Sequence, residues 1–221
     1  MRAASFAGVL LLLIVVLSPR PVLAEEEQTA REKKTSSVRP AALGVWGGMS
    51  YDSPTDLLLG TTPGRDFHEL AFRITWRLVD ISRVRIDYTL DFIPVAMLTR
   101  NPTVTPNALE RLPARTLQLE TRYAIGGAPI GLRMGVQPVE RLFVFGSGSV
   151  GVLFFEGAVP TAGASSFNYT FDFGGGVEIV VTERLSLTGG YKLHHLSNGD
   201  LALENPGVDS NLYYVGLNLA E

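Results

Sequence analysis

The sequence predicts an all-β protein, an eight-stranded antiparallel transmembrane β-barrel, on three observations. From Leu43 onward apolar and polar residues alternate with a period of two, the signature of strands with one apolar face. The links between the strand-like stretches are alternately short and long, as in outer-membrane barrels with short periplasmic turns and long extracellular loops. The amino terminus reads as an export signal, which places the product beyond the inner membrane.

In residues 1–24, Arg2 supplies the positive start, Val9 to Leu17 the apolar core, and Val22-Leu23-Ala24 a small-residue cleavage site. The apolar run ends at Ser18-Pro19-Arg20, short of the roughly 20 residues a spanning helix needs, so cleavage after Ala24 is expected. Residues 25–41, EEEQTAREKKTSSVRPA, are charged and poor in large apolar side chains, and read as a disordered periplasmic leader. The barrel is expected over 42–221. The 19 Lys+Arg and 22 Asp+Glu give a net charge of -3, and removing Arg2 and Arg20 with the signal takes it to -5. Nucleic acid is therefore not an expected partner. The absence of Cys removes disulfides, thiolate metal sites and amino-terminal lipidation.

The predicted strands cover 43–51, 67–79, 82–97, 116–136, 142–154, 167–181, 185–195 and 210–219. The second is the clearest: Leu70, Phe72, Ile74, Trp76 and Leu78 share one face, and Ala71, Arg73, Thr75 and Arg77 the other. The third sets Val84, Ile86, Tyr88, Leu90 and Phe92 against Arg85, Asp87, Thr89 and Asp91. In the fourth the apolar row shifts from odd positions (Leu117, Leu119, Tyr123) to even ones (Ile130, Leu132, Met134) across Gly126-Gly127-Ala128-Pro129, where a bulge or break belongs. Gly146, Gly148 and Gly151 blur the faces of the fifth, and neither is assigned. Phe167, Tyr169, Phe171 and Phe173 on the sixth suggest part of an interfacial aromatic girdle. Tight turns are expected at 80–83, 137–141 and 182–184, and long links near 52–66, 98–115, 155–166 and 196–209. Alternation alone also fits a soluble β-sandwich, whose apolar faces would meet in a shared core.

The last two strands carry the candidate chemistry. His195 and Ser197 are two apart and so project from one face, in the odd row with Leu185, Leu187, Tyr191 and Leu193. Asp209 is in phase with Asn211, Tyr213, Val215 and Leu217, also an outward row. With the amino terminus in the periplasm, all three side chains converge on the outside of the wall at the outer-leaflet level. A serine hydroxyl becomes a nucleophile when an imidazole accepts its proton and a carboxylate holds the imidazole's other nitrogen. The residues alone leave a second reading open, a His-His pair and a Ser decorating a loop. Adjacent strand positions face opposite ways, so His194 and His195 make a poor chelating pair and no metal is expected.

The motif HxSN at His195, Ser197 and Asn198, followed by Asn205-Pro206-Gly207-Val208-Asp209-Ser210, resembles the outer-membrane lipid A 3-O-deacylases of the PagL type. The similarity extends upstream through FNYTFDFGGGVEIVVTERLSLTGGYKLHH; before that only the strand rhythm agrees. The resemblance implies a serine esterase without cofactor, acting on lipid A (lipopolysaccharide) in the bacterial outer membrane. His195 would be general base, Ser197 nucleophile and Asn198 an oxyanion-hole contributor. The family's acid is usually Glu, and the aligned residue here is Asp209, with Glu204 as the alternative acid. Leu219-Ala220-Glu221 stands where such barrels commonly end in an aromatic residue. A homodimer remains open, as do two other readings: a non-enzymatic small barrel with a structural or adhesive role, and a soluble periplasmic β-domain.

Overall fold

The computed structural model describes residues 41–54, 57–100 and 120–220. It contains β1 (Ala42–Ser50), β2 (Arg65–Ile81), β3 (Val84–Arg100), β4 (Glu120–Val139), β5 (Leu142–Val159), β6 (Ser165–Val180), β7 (Leu185–Ser197) and β8 (Val208–Ala220). Each strand pairs antiparallel with its sequence neighbours, and β8 returns to β1 through partners such as Val45 and Leu217, closing the barrel. Closure leaves no sheet edge and no second sheet, so the sandwich alternative is excluded. The expected signal (1–24), nearly all of the leader (25–41) and the first four residues of the predicted fourth strand lie outside the described residues.

The period of two sorts side chains between two surroundings. On β2, Phe67, Glu69, Ala71, Arg73 and Thr75 are buried inside the barrel, whereas Leu70, Phe72 and Leu78 are exposed on its outer wall. Water is absent from the hydrocarbon layer, so a wall of Leu, Ile, Val and Phe outside and hydrogen-bonding groups inside is the arrangement a bilayer favours. Inside, the Arg73 guanidinium donates to both oxygens of Asp91, at 2.7 and 2.5 Å. Glu178 accepts from Arg85 at 3.1 Å and from Arg133 at 2.6 Å, and Asp172 pairs with Lys192 at 3.2 Å. Arg133 also lies over the Phe145 ring, 4.1 Å from its centre, and Lys192 over Trp46 at 4.2 Å. Toward the long loops the interior turns apolar, with Phe67, Leu98, Phe155, Val159, Leu196, Val208 and Leu212 filling it. The interior is a packed core rather than a channel.

β4 confirms the expected phase change. Tyr123 and Ile125 point outward, then Ile130, Leu132 and Met134 do, and the β4–β5 register shifts between Gly127 and Ile130. Pro129 has no N–H to give the ladder, and its carbonyl accepts instead from the Tyr88 hydroxyl. The blurred β5 resolves: Phe143, Phe145, Leu153 and Phe155 face inward, with Gly146, Gly148 and Val150 in the outward row. The link after β5 is shorter than 155–166, because β5 runs to Val159 and β6 begins at Ser165. Phe167, Tyr169, Phe171 and Phe173 do share the outer face. They run as a column along one strand, however, covering about 20 Å of its length, so they are not confined to one interfacial level.

A cysteine placed at position 74 should react with a lipid-dissolved maleimide, and one at position 75, whose Thr is buried in the interior, should not. Ile74→Arg should lower bilayer stability by roughly 2–4 kcal/mol. Labelling at 75 but not 74 would reverse the assignment of faces.

Candidate active site on the outer wall

β7 and β8 run side by side with His195 directly opposite Asp209, and both side chains project from the outer face. The imidazole Nδ1 lies 2.7 Å from Asp209 Oδ1, and both residues are buried. A carboxylate only accepts, so Nδ1 carries the proton and Nε2 is left as the acceptor of the neutral ring. The second carboxylate oxygen, Oδ2, accepts the backbone N–H of Leu58 at 2.6 Å. Two donors, one on each oxygen, fix the carboxylate in orientation. On the other side of His195, its β6 partner Phe171 leans against the ring, with centres 5.0 Å apart.

Ser197 stands two residues further along β7 on the same face, at the half-buried end of the strand, paired with Tyr169. Among the described residues its hydroxyl makes no hydrogen bond, so the structure joins His195 to Asp209 directly and brings Ser197 to the same face without closing the third contact. Contacts of this kind tighten when a substrate packs against them. His194 points the other way, into the interior, where it stacks on Phe67 at 4.6 Å and 15°. The two histidines are thus separated by the wall, and among the described residues no group of His, Cys, Asp or Glu is placed to hold a metal ion.

The two acids that the sequence offers are clearly separated. Glu204 is tied to the link between β5 and β6: its Oε2 accepts from Thr161 Oγ1 at 2.5 Å and its N–H donates to the Gly163 carbonyl at 3.1 Å. It makes no hydrogen bond to His195. Asn198 is more constrained than expected for an oxyanion donor. Its N–H donates to Asn205 Oδ1 at 2.9 Å and its Nδ2 to the Glu204 carbonyl at 2.7 Å. The residue thereby pins the turn that carries the chain from β7 back to β8. One Nδ2 hydrogen remains uncommitted.

The third wall of the site is the link between β1 and β2, which no motif marks. Besides Leu58, Thr61 donates from both N–H and Oγ1 to the Pro206 carbonyl, each at 2.7 Å. Gly60 packs directly on the acid. A Cβ there would sit 2.6 Å from the Asp209 nitrogen and 2.8 Å from Oδ1. Gly207, at φ +62°, meets Gly60 from the other side, and a Cβ on it would lie 3.0 Å from His195 Cε1. These contacts are made by backbone, so no residue type announces them; the one available signal was a glycine inside a long link.

Fold and site together define a membrane-embedded β-barrel that gathers His, Asp and Ser on its lipid-facing wall. The family model described as lipid A 3-O-deacylase (PagL) matches residues 115–218, which hold β4 to nearly all of β8 and every one of these side chains. Among solved structures, the crystal structure of the outer membrane enzyme PagL aligns with a TM-score of 0.54 at 16% identity, covering 78% of this chain and 97% of that one. Neisserial surface protein A (NspA) aligns at 0.43 and 12% identity, covering 82% and 97%. The outer membrane protein AlkL aligns at 0.38 and 13%, covering 89% and 94%. No curated protein matches the sequence. The chain is an outer-membrane β-barrel resembling the PagL family.

The imidazole–carboxylate bond makes a spectroscopic prediction. The Nδ1 proton of His195 should give a far-downfield proton resonance in micelles, kept in Glu204→Gln and lost in Asp209→Asn. Survival of the signal in Asp209→Asn would show that another group holds the ring.

Proposed function

We propose that this chain is a serine esterase of the outer membrane that removes the 3-O-linked acyl chain from lipid A. The observation that carries the reading is the His195–Asp209 pair on the outer wall, at the end of the barrel bearing the long loops, within the segment that the family model matches. An ester in the outer leaflet lies against that surface. A soluble esterase would have to extract its substrate, whereas this wall meets the acyl chains where they are.

In the proposed reaction His195 Nε2 takes the proton from Ser197 Oγ as the oxygen attacks the ester carbonyl. The tetrahedral intermediate collapses by breaking the bond to the sugar oxygen, which leaves with the proton from His195 as the free 3-hydroxyl. Water, deprotonated by the same nitrogen, then cleaves the acyl-enzyme and releases the fatty acid. Asp209 holds the tautomer and stabilises the imidazolium. The uncommitted Nδ2 hydrogen of Asn198 is the side-chain donor nearest in sequence to the nucleophile, and its role is to face the developing oxyanion.

Mass spectrometry of lipid A from cells expressing the protein should show loss of one 3-hydroxyacyl chain, and none in cells expressing Ser197→Ala or His195→Ala, while both variants keep heat-modifiable migration. Unchanged lipid A with the folded wild type would favour the alternative, a structural or adhesive barrel.

The acid can be tested separately. Asp209→Asn should lower turnover on the order of 10⁴-fold, because the ring loses its orienting partner, while Glu204→Gln should change it little. Asp209→Glu restores the family's usual side chain but inserts a methylene where Gly60 already crowds the carboxylate. Partial activity is expected, and Gly60→Ala should mimic that loss in kcat with little change in KM. A dead Glu204→Gln with an active Asp209→Asn would exchange the two roles.

A further inference from the structure

At the loop end of the barrel, away from the β7–β8 wall, three arginines gather over the apolar interior. Arg65 opens β2 and is the direct cross-strand partner of Arg100, which ends β3. Arg122 on β4 is the partner of Leu98. All three are in the inward phase, in line with Phe67, Leu98 and Ala124, so their side chains rise into the barrel mouth rather than toward lipid. There they line a cavity of about 320 Å³ with Glu120, Ala158, Val159, Pro160, Thr161 and Ala162.

Among the described residues, three arginines line this cavity against one carboxylate, Glu120, which is the cross-strand partner of Arg100. Arg122 is paired with Glu120 at 2.6 Å. Among the described residues Arg65 reaches only backbone carbonyls, of Pro63, Gly64 and, across the mouth, Pro160, at 3.4–3.5 Å. Among the described residues neither Arg65 nor Arg100 has a carboxylate within ion-pair distance. Like charges directly opposite on neighbouring strands destabilise a sheet. The cavity floor, Leu98 and Val159, is buried and apolar, which strengthens the field of the guanidinium groups above it. A planar guanidinium presents two N–H groups in a fork that fits a phosphate or carboxylate, and two such forks facing one cavity form a receptor for an oxyanion.

We propose that Arg65, Arg100 and Arg122 form an anion-binding site at the extracellular mouth, taking a phosphate or carboxylate oxyanion from the saccharide head of an outer-leaflet glycolipid. The site lies apart from Ser197 and does not depend on hydrolysis. It would fasten the barrel to the anionic surface of the leaflet.

The test uses the full chain folded in zwitterionic micelles, in a Ser197→Ala background so that no ester is cut. Binding of bisphosphorylated lipid A and of enzymatically dephosphorylated lipid A is measured by tryptophan fluorescence and calorimetry, with inorganic phosphate as competitor. The double variant Arg65→Gln/Arg100→Gln should bind the phosphorylated lipid about tenfold or more weakly, and the parent should lose a similar factor on dephosphorylation. Heat-modifiable migration checks that the variant barrel is assembled, and Arg65→Lys/Arg100→Lys should restore part of the affinity if charge is what matters. If inorganic phosphate displaces the lipid in the parent and not in the variant, the same site also accepts free anion. Equal affinity of the assembled double variant and its parent for phosphorylated lipid A would overturn the proposal.

Discussion

A closed barrel gives each strand residue two destinations, hydrocarbon or interior, and a strict alternation between them. The rest of this structure follows from that constraint. The charged row of β2 and β3 has to go inside, where Arg73 finds Asp91 and Arg85 finds Asp87 and Glu178. The same alternation separates His194 from its neighbour, sending one imidazole to the core and the other to the lipid side. A shift of one residue in the β7 register would exchange them.

An ionisable pair on the lipid side of a barrel is costly unless its hydrogen-bonding capacity is met. Asp209 meets it with His195 Nδ1 on one oxygen and the Leu58 amide on the other. The site is therefore held by elements from both ends of the sequence. β7 and β8 supply the side chains, and the link after β1 supplies the backbone cover. That cover shields the carboxylate from hydrocarbon and from competing water, and it leaves Nε2 as the ring nitrogen that the carboxylate does not engage. The 198–207 turn is braced in turn by Thr61 at Pro206 and by Thr161 at Glu204, so three links at this end of the barrel are joined around one cross-strand pair.

Much of this was legible in the sequence, for reasons that differ by element. The faces of β2 and β3 followed from alternation because long apolar and charged side chains occupied opposite rows without interruption. β5 was opaque because glycine at 146, 148 and 151 carries no side chain to mark a face; inward Phe143 and Phe145 under two guanidinium groups decide it. The choice of Asp209 over Glu204 rested on strand phase, and the structure places Asp209, not Glu204, on His195. Asn198 was readable as polar and adjacent to Ser197, but its engagement by Asn205 and Glu204 depends on the turn geometry that Gly199 and Gly207 permit at positive φ. Leu58 and Gly60 were beyond reach, because a backbone amide and a missing Cβ act through shape and leave no residue-type signal.

A lipid-soluble fluorophosphonate reacts with a serine whose proton a neighbouring base removes, and so probes whether Ser197 is a nucleophile activated by His195 on the lipid-facing wall. Mass spectrometry of the protein treated in bilayers should find one covalent phosphonyl adduct, on the peptide bearing Ser197, absent in the assembled His195→Ala barrel and unaffected by Glu204→Gln. An unmodified Ser197 in the folded wild type, or an equal adduct in His195→Ala, would contradict the account.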